Sequence, residues 1–475
     1  MGLFAADASV HSDCPCRRLG APLDGLGSVA KSPASRWALV RPLSPMRLLL
    51  WSGLLAGSAL SLSSAESAPS EVPREWVDEA TGHRVRRVSN EAGTASLYFH
   101  QDAFLRDGRR MLVTTPRGIA ALDIETGAVR VLIPREQASL GGSSGLEVGH
   151  RTGHVYFERE QAVWAVNPDT GETRRIAALP ERGKMSDINA DETLLVGTTS
   201  APGYPPVNTW PPKGTVMHGP DGRELTFAEM REVLINRRLE QRVPMTLFTL
   251  DLRTGEVNTI RRTTDWLGHV QCSPTDPGLI MFCHEGNWHK VERLWTIRTD
   301  GTGLARVHAR TMNMEIWGHE FFSPDGGTIW YDLQTPRGEV FWLAGYELAT
   351  GRRTWYHVER NAWSVHFNIS PDGRRFAGDG GDAEMVAKAP DGKWIYLFEP
   401  EGIPDVAGIS APGADTLVHP GRLRARRLVN LGAHDYRVEP NVRFSPDGRW
   451  VIFRANLHGE VHTYAVDTLP TAPRS

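Results

Sequence analysis

Net charge, long apolar runs and cysteine are all scarce in this chain, and each shortage excludes something. The formal net charge is −3, and no basic block stands out from the mixed background, which argues against a nucleic-acid surface. The apolar run near the N-terminus, centred on Leu48 to Leu60, is too short and too rich in Gly and Ser to span ~30 Å of hydrocarbon. With one positive charge before it and small residues up to Ala65 after it, residues 46–65 read instead as a secretory signal peptide. Residues 1–45 then read as an upstream extension, with Met46 as the expected start. Of the four cysteines, Cys14 and Cys16 fall in that extension. Cys272 and Cys283 remain, in an export setting that permits disulfides. They flank the turn Ser273 to Gly278, so either a cross-hairpin bridge or two buried thiols fits.

Hydrophobic residues make up 40% and charged residues 23%, which excludes a disordered chain and allows a sizeable core. Gly (47), Pro (32) and Trp (15) are plentiful, a mixture that favours many turns and short strands over long helices. The turns repeat. Thr-Gly pairs stand at Thr126-Gly127, Thr170-Gly171, Thr254-Gly255 and Thr350-Gly351, with Asp300-Gly301 as a relative. Their spacing is roughly 40 to 50 residues, except for one interval about twice as long. That interval holds an insertion at 199–242, which includes a helix-like stretch from Leu225 to Glu240. A second family, Ser-Pro-Asp-Gly, stands at 323–326, 370–373 and 445–448.

Segments such as Thr328-Ile329-Trp330-Tyr331-Asp332 alternate with period two, so the repeating unit is built from strands. Units of this length with about four strands predict an all-β, single-domain β-propeller over residues 75–470, with seven blades favoured. The segment Glu75 to Val88 is expected to pair into the last blade near Val461 to Val466 and hide the sheet edges. A tandem pair of β-sandwiches is the competing architecture.

Two motifs are set aside. Gly141-Gly142-Ser143-Ser144-Gly145 matches the nucleophile-elbow pattern but lacks a following helix. His284-Glu285-Gly286-Asn287-Trp288-His289 spaces its histidines wrongly for a zinc-binding helix. Histidines that precede the repeat turns carry more information. His319 and His366 hold matching places in successive units, where a propeller's inner strands converge on one channel. They either meet there or bond a neighbouring blade's backbone.

The stretches Asp265-Trp266-Leu267-Gly268-His269, Phe282-Cys283-His284-Glu285-Gly286, Glu292-Arg293-Leu294-Trp295, Gly318-His319-Glu320-Phe321-Phe322 and Gly378-Asp379-Gly380-Gly381-Asp382 together resemble the oligogalacturonate lyase family, polysaccharide lyase family 22. The resemblance implies a seven-bladed propeller that cleaves short pectin fragments by β-elimination, with a divalent metal, typically manganese, in the channel. It places His319 at the catalytic base and Arg293 at the catalytic arginine. A neutral imidazole suits proton abstraction near neutral pH, and a guanidinium can hold a carboxylate in a bidentate way. An ion pair of Arg293 with Glu292 or Glu285 is the competing reading. His366 matches a metal ligand. The other ligands, a Gln and two His, are replaced here by Tyr436, Glu439 and Asn441, so the expected set is His366, Glu439 and Asn441 with His434 nearby.

Trp266, His284 and Trp363 are candidates to line the sugar site, with packing as the alternative for each. The expectation is an exported, periplasmic or secreted lyase acting on small uronate oligosaccharides, with no nucleic-acid partner and no lasting membrane insertion. The alternatives are a non-catalytic propeller that binds a glycan or protein, and a lyase for another uronate.

Overall fold

The computed structural model describes residues 73–137, 145–204, 215–382, 387, 389–404 and 408–471. The expected leader, the upstream extension with Cys14 and Cys16, and Gly141 to Ser144 lie outside the described residues. Within them the strands form seven antiparallel meanders of four strands, the fifth and sixth joined into one eight-stranded sheet by parallel pairing of Arg353 to His357 with Val418 to Arg422. Meander one comprises Ala95–Ser96, Arg110–Thr115, Gly118–Asp123 and Val129–Pro134. Meander two comprises Leu146–Val148, Val155–Arg159, Ala162–Val166 and Thr173–Ala178. Meander three comprises Lys184–Ile188, Leu194–Ser200, Met245–Asp251 and Val257–Thr263. Meander four comprises Trp266–Cys272, Leu279–Glu285, Leu294–Arg298 and Ala305–Arg306. Meander five comprises Ile316–Phe322, Thr328–Gln334, Phe341–Glu347 and Arg353–Val358, and meander six Phe367–Ile369, Phe376–Gly378, Trp394–Gly402 and Val418–Asn430. Meander seven takes Arg443–Phe444, Trp450–His458 and Glu460–Pro470 from the C-terminal end and His83–Arg87 from the N-terminal end, with Glu75–Val77 added outside.

The two turn families mark two different hairpins. Ser-Pro-Asp-Gly joins the first and second strands. In meander five, the Asp325 carboxylate accepts from the Ser323 hydroxyl and the Gly327 N–H, while Gly326 takes φ +70°, where a side chain would be strained. Thr-Gly joins the third and fourth strands, with the Asp123 carboxylate accepting from the Thr126 N–H in meander one.

Strands buried on both faces read as continuous apolar runs, and Leu279–Glu285 shows why. Ile280 and Phe282 pack against meander three, whereas Met281 and Cys283 pack against meander five. A one-residue slip would exchange the two faces. Every meander shares a buried apolar cluster with the next, and Trp450, Ile452 and Ala465 of meander seven pack with Leu97, Met111 and Val113 of meander one, so the sheets close into a ring. The expected N-terminal closure is present, with Val85 opposite Val466 and Arg86 opposite Ala465.

Within the insertion, helix α1 spans Phe227–Gln241. It starts at a capping box in which Thr226 and Glu229 satisfy each other's backbone N–H groups. The insertion interrupts meander three between its second and third strands, which still pair from Leu194 opposite Asp251 to Ser200 opposite Met245. Cys272 and Cys283 are free thiols, both buried. Among the described residues no helix is long and apolar enough to cross a membrane.

Candidate active site

The first strand of a meander faces the central channel, and in meanders four and five this strand is deliberately irregular. Its pairing shifts between Gly268 and Gln271 and again between Gly318 and Phe321. Inside those bulges His269 and His319 take φ values of +45° and +49°. A bulge re-aims a side chain, and a left-handed conformation at a non-glycine residue costs of order 1–3 kcal/mol, a cost typical of functional positions. The preceding glycine makes room for the acid partner. A Cβ on Gly268 would come within 2.6 Å of the Glu285 side chain.

Each histidine pairs with a carboxylate of its own meander's second strand or the residue just after it. His269 Nε2 lies 3.1 Å from Glu285, His319 Nδ1 lies 3.0 Å from Asp332, and His366 Nδ1 lies 2.6 Å from Asp379. A carboxylate that takes one ring N–H fixes the tautomer and leaves the other nitrogen as a lone pair. His319 and His366 meet as the repeat spacing allowed, with ring centroids 4.6 Å apart. Tyr98 and His100, just after the first strand of meander one, complete the cluster. Tyr98 lies 5.3 Å from His366 and 5.9 Å from His269, and His100 lies 6.1 Å from His269.

Charges are ordered around these rings. Burial pulls His319 down, but the Asp332 charge and hydrogen bond outweigh it and hold the imidazole above its ordinary value. Burial dominates at His269 and His100, and both are held below the usual histidine range. Burial alone would raise Glu320 and Glu439, yet their neighbours outweigh it and keep each at about 2. For Glu320 the cation is Arg293, and for Glu439 the chief neighbours are His366 and Arg231.

The structure corrects several expected roles. Arg293 is 3% exposed, and its guanidinium is shared between Glu320 and Glu285, with the Glu285 contact at 2.8 Å. The ion pair with Glu285 is therefore present, and a guanidinium filled in this way is not set out to clamp a ligand carboxylate. Trp363 is 2% exposed, packs on Phe341 and donates its indole N–H to the Val358 carbonyl, so it is a core residue. His284 is also buried, packed between Phe282 and Trp295 and 3.6 Å from Asp265. Trp266 is half-buried beneath Arg238 of α1, 4.0 Å from the ring.

The expected metal ligands separate into two groups. His366 Nε2 is buried without a hydrogen-bond partner and lies 3.9 Å from Glu439 Oε2. An orphaned imidazole lone pair opposite a carboxylate is a donor pair that fits a divalent cation. Asn441 does not join it, because its carboxamide accepts from the Phe99 N–H and donates to the Glu439 carbonyl. His434 packs on Tyr436 and accepts from the Asn456 N–H through Nδ1. Among the described residues no three or more His, Cys, Asp or Glu side chains form a metal-binding group.

Helix α1 brings further charge to the same place. Arg231 donates to Glu439 Oε1 at 2.9 Å, Asn236 accepts from Asn287 at 3.3 Å, and Glu232 pairs with Arg337.

Three comparisons bear on this arrangement. Residues 240–472 match the family model described as oligogalacturonate lyase. An oligogalacturonate lyase of Dickeya dadantii is 38% identical over 229 residues, and an oligogalacturonide lyase of Pectobacterium atrosepticum is 26% identical over 229 residues. Each match covers 46% of this chain and 54% of the relative, so the chain matches about half the length of these curated relatives. Among solved structures, an oligogalacturonate lyase in complex with manganese superposes with a TM-score of 0.63 at 21% identity, covering 83% of this chain and 95% of the other. An oligogalacturonate lyase from Vibrio parahaemolyticus gives 0.64 at 20% identity over 83% and 96%. The resemblance read from the sequence thus holds over the C-terminal half, and the propeller fold is shared over most of the chain.

Proposed function

We propose that this chain is an exported lyase that cleaves short oligogalacturonides by β-elimination. The observation that carries the reading is the His319–Asp332 pair, in which Asp332 occupies Nδ1 and leaves Nε2 as the basic atom, beside His366 and within the stretch that matches the lyase family.

In the reaction the C5–H bond of the uronate breaks and its proton passes to His319 Nε2. The electron pair forms the C4–C5 double bond as the C4–O bond breaks, and the departing glycosidic oxygen takes a proton to become the hydroxyl of the released sugar. Asp332 orients the imidazole and stabilises it when protonated, and such general-base assistance contributes roughly 10²- to 10⁴-fold. Arg293 acts through its partners. By holding Glu285 and Glu320 ionised, it fixes the carboxylate that anchors His269. His366 Nε2 and Glu439 would hold a divalent ion such as manganese, which when bound would help neutralise the uronate carboxylate and so acidify C5–H. The sequence of residues 46–65 supports export to the periplasm or beyond.

The test is to incubate the purified protein with digalacturonate and trigalacturonate, with and without Mn²⁺, and to follow the absorbance of unsaturated product. Formation of that product supports the reading, and its absence on every uronate oligomer tried would sink it.

A further inference from the structure

We propose that Arg231 on the inserted helix is the residue that takes the carboxylate of the uronate whose C5 proton is removed, and that it thereby sets a requirement for the free acid over its ester. This rests on the lyase reading above and adds a protein group that would share, with the ion His366 and Glu439 would hold, the task of neutralising that carboxylate. β-Elimination next to a carboxylate needs a fixed positive charge on that carboxylate, and the arginine expected for it, Arg293, is enclosed by two acids with its side chain 4% exposed.

Two further arginines beside the cluster bond backbone carbonyls. Arg443 bonds the carbonyls of Gln101, Leu97 and Tyr98, and Arg454 bonds those of Glu439 and Ser96. Arg231 differs in two respects. Its side chain is 33% exposed, and a side-chain carboxylate, Glu439 at 2.9 Å, is among its partners. That carboxylate lies 3.9 Å from His366, whose ring lies 4.6 Å from the ring of His319. The Glu439 carboxylate therefore marks a place beside the base where Arg231 already holds an acid, and an incoming uronate can share the same guanidinium with it. Planar, bidentate recognition favours arginine for this task over lysine.

The helix does not depend on this contact for its seat. Arg238 lies 4.0 Å from the Trp266 ring, Asn236 bonds Asn287, Glu232 pairs with Arg337, and a capping box fixes the first turn. A substitution at position 231 accordingly tests ligand contact and not helix placement.

The experiment measures calorimetric binding of trigalacturonate and of its methyl ester to the full chain carrying H319A, which suppresses turnover, alone and combined with R231Q or R231K. R231Q is expected to weaken binding of the acid by about 10- to 100-fold and of the ester by no more than about threefold. R231K should fall between R231Q and arginine for the acid. Equal weakening of acid and ester would make Arg231 a structural residue and overturn the proposal, as would unchanged binding of the acid or no binding of trigalacturonate to H319A. The lyase reading fails separately. If the wild-type chain forms no unsaturated product while the contrast between acid and ester persists, the carboxylate site stands and the elimination does not.

Discussion

The channel has two arcs that treat the same kind of residue in opposite ways. In meanders four to six the buried acids meet cations or imidazoles. Glu320 is held at about 2, and Glu285 lies below the usual range because Arg293 and His269 outweigh burial. In meanders one to three burial prevails. Glu147 is pushed well above the usual carboxylate range, and Asp187 rises to about 6. Glu147 accepts from the Gln101 amide and Asp187 from the Cys272 N–H, neutral donors that do not compensate desolvation as a guanidinium does. One arc is thus built to keep charge and the other to suppress it, and His269, His319 and His366 all lie in the first.

The largest effect expected from breaking this contrast is on turnover. His319→Ala should lower kcat on digalacturonate by roughly 10²- to 10⁴-fold. Glu147→Gln, in the opposite arc, should leave it within about threefold. Comparable losses from the two would erase the functional difference between the arcs.

Stability comes next. Glu320→Gln leaves Arg293 buried with a single carboxylate, and breaking a buried pair costs about 3–5 kcal/mol. The folded-state value of Glu320 is depressed, so its contribution is present above the ordinary carboxylate value and is lost as pH falls toward 2. Denaturant titrations should therefore show the wild-type advantage at pH 7 and its decline through that acidic window.

The other arc should show the opposite sign. A carboxylate whose folded value is raised destabilises the protein as pH climbs from its unfolded value toward about 6, because the folded state must then give up a proton it holds more tightly. Asp187→Asn should raise Tm at pH 7.5, by about 2 °C, and leave it unchanged at pH 4. A lower Tm at both values would mean that the Cys272 N–H contact outweighs desolvation. The smallest effect expected is from Gly268→Ala, which should push Glu285 away from His269 and lower kcat by about two- to fivefold without altering the opposite arc.

Much of the fold is legible from turn chemistry alone. Ser-Pro-Asp-Gly and Thr-Gly mark the two ends of the unit, and matching places before the first turn correctly bring His319 and His366 together. His269 holds the same place before the variant turn Ser273-Pro274-Thr275-Asp276. Asp332 and Asp379 were missed. Each pairs with a histidine 13 residues earlier, His319 reaching Asp332 across a bulge that no residue pattern announces, and His366 standing one step beyond the regular pair Phe367 and Gly378. Arg231 was out of reach for another reason, since a helix inserted in meander three lands on Glu439, 208 residues further along. Glu439 and Asn441 share a loop and an expected role, yet only Glu439 points its side-chain oxygens toward His366. The carboxamide of Asn441 is taken by backbone partners, a distinction that composition cannot make.

The seam in meander seven has a consequence in time. Residues His83–Arg87 are among the first of the ring to leave the ribosome, but their partner, Glu460–Pro470, is among the last. At roughly 5–20 residues per second, the nascent protein waits tens of seconds as an open fan, with one edge of His83–Arg87 unpaired and the face of Leu97, Met111 and Val113 still wet. Anything that shields that edge during the wait governs how much of the protein closes.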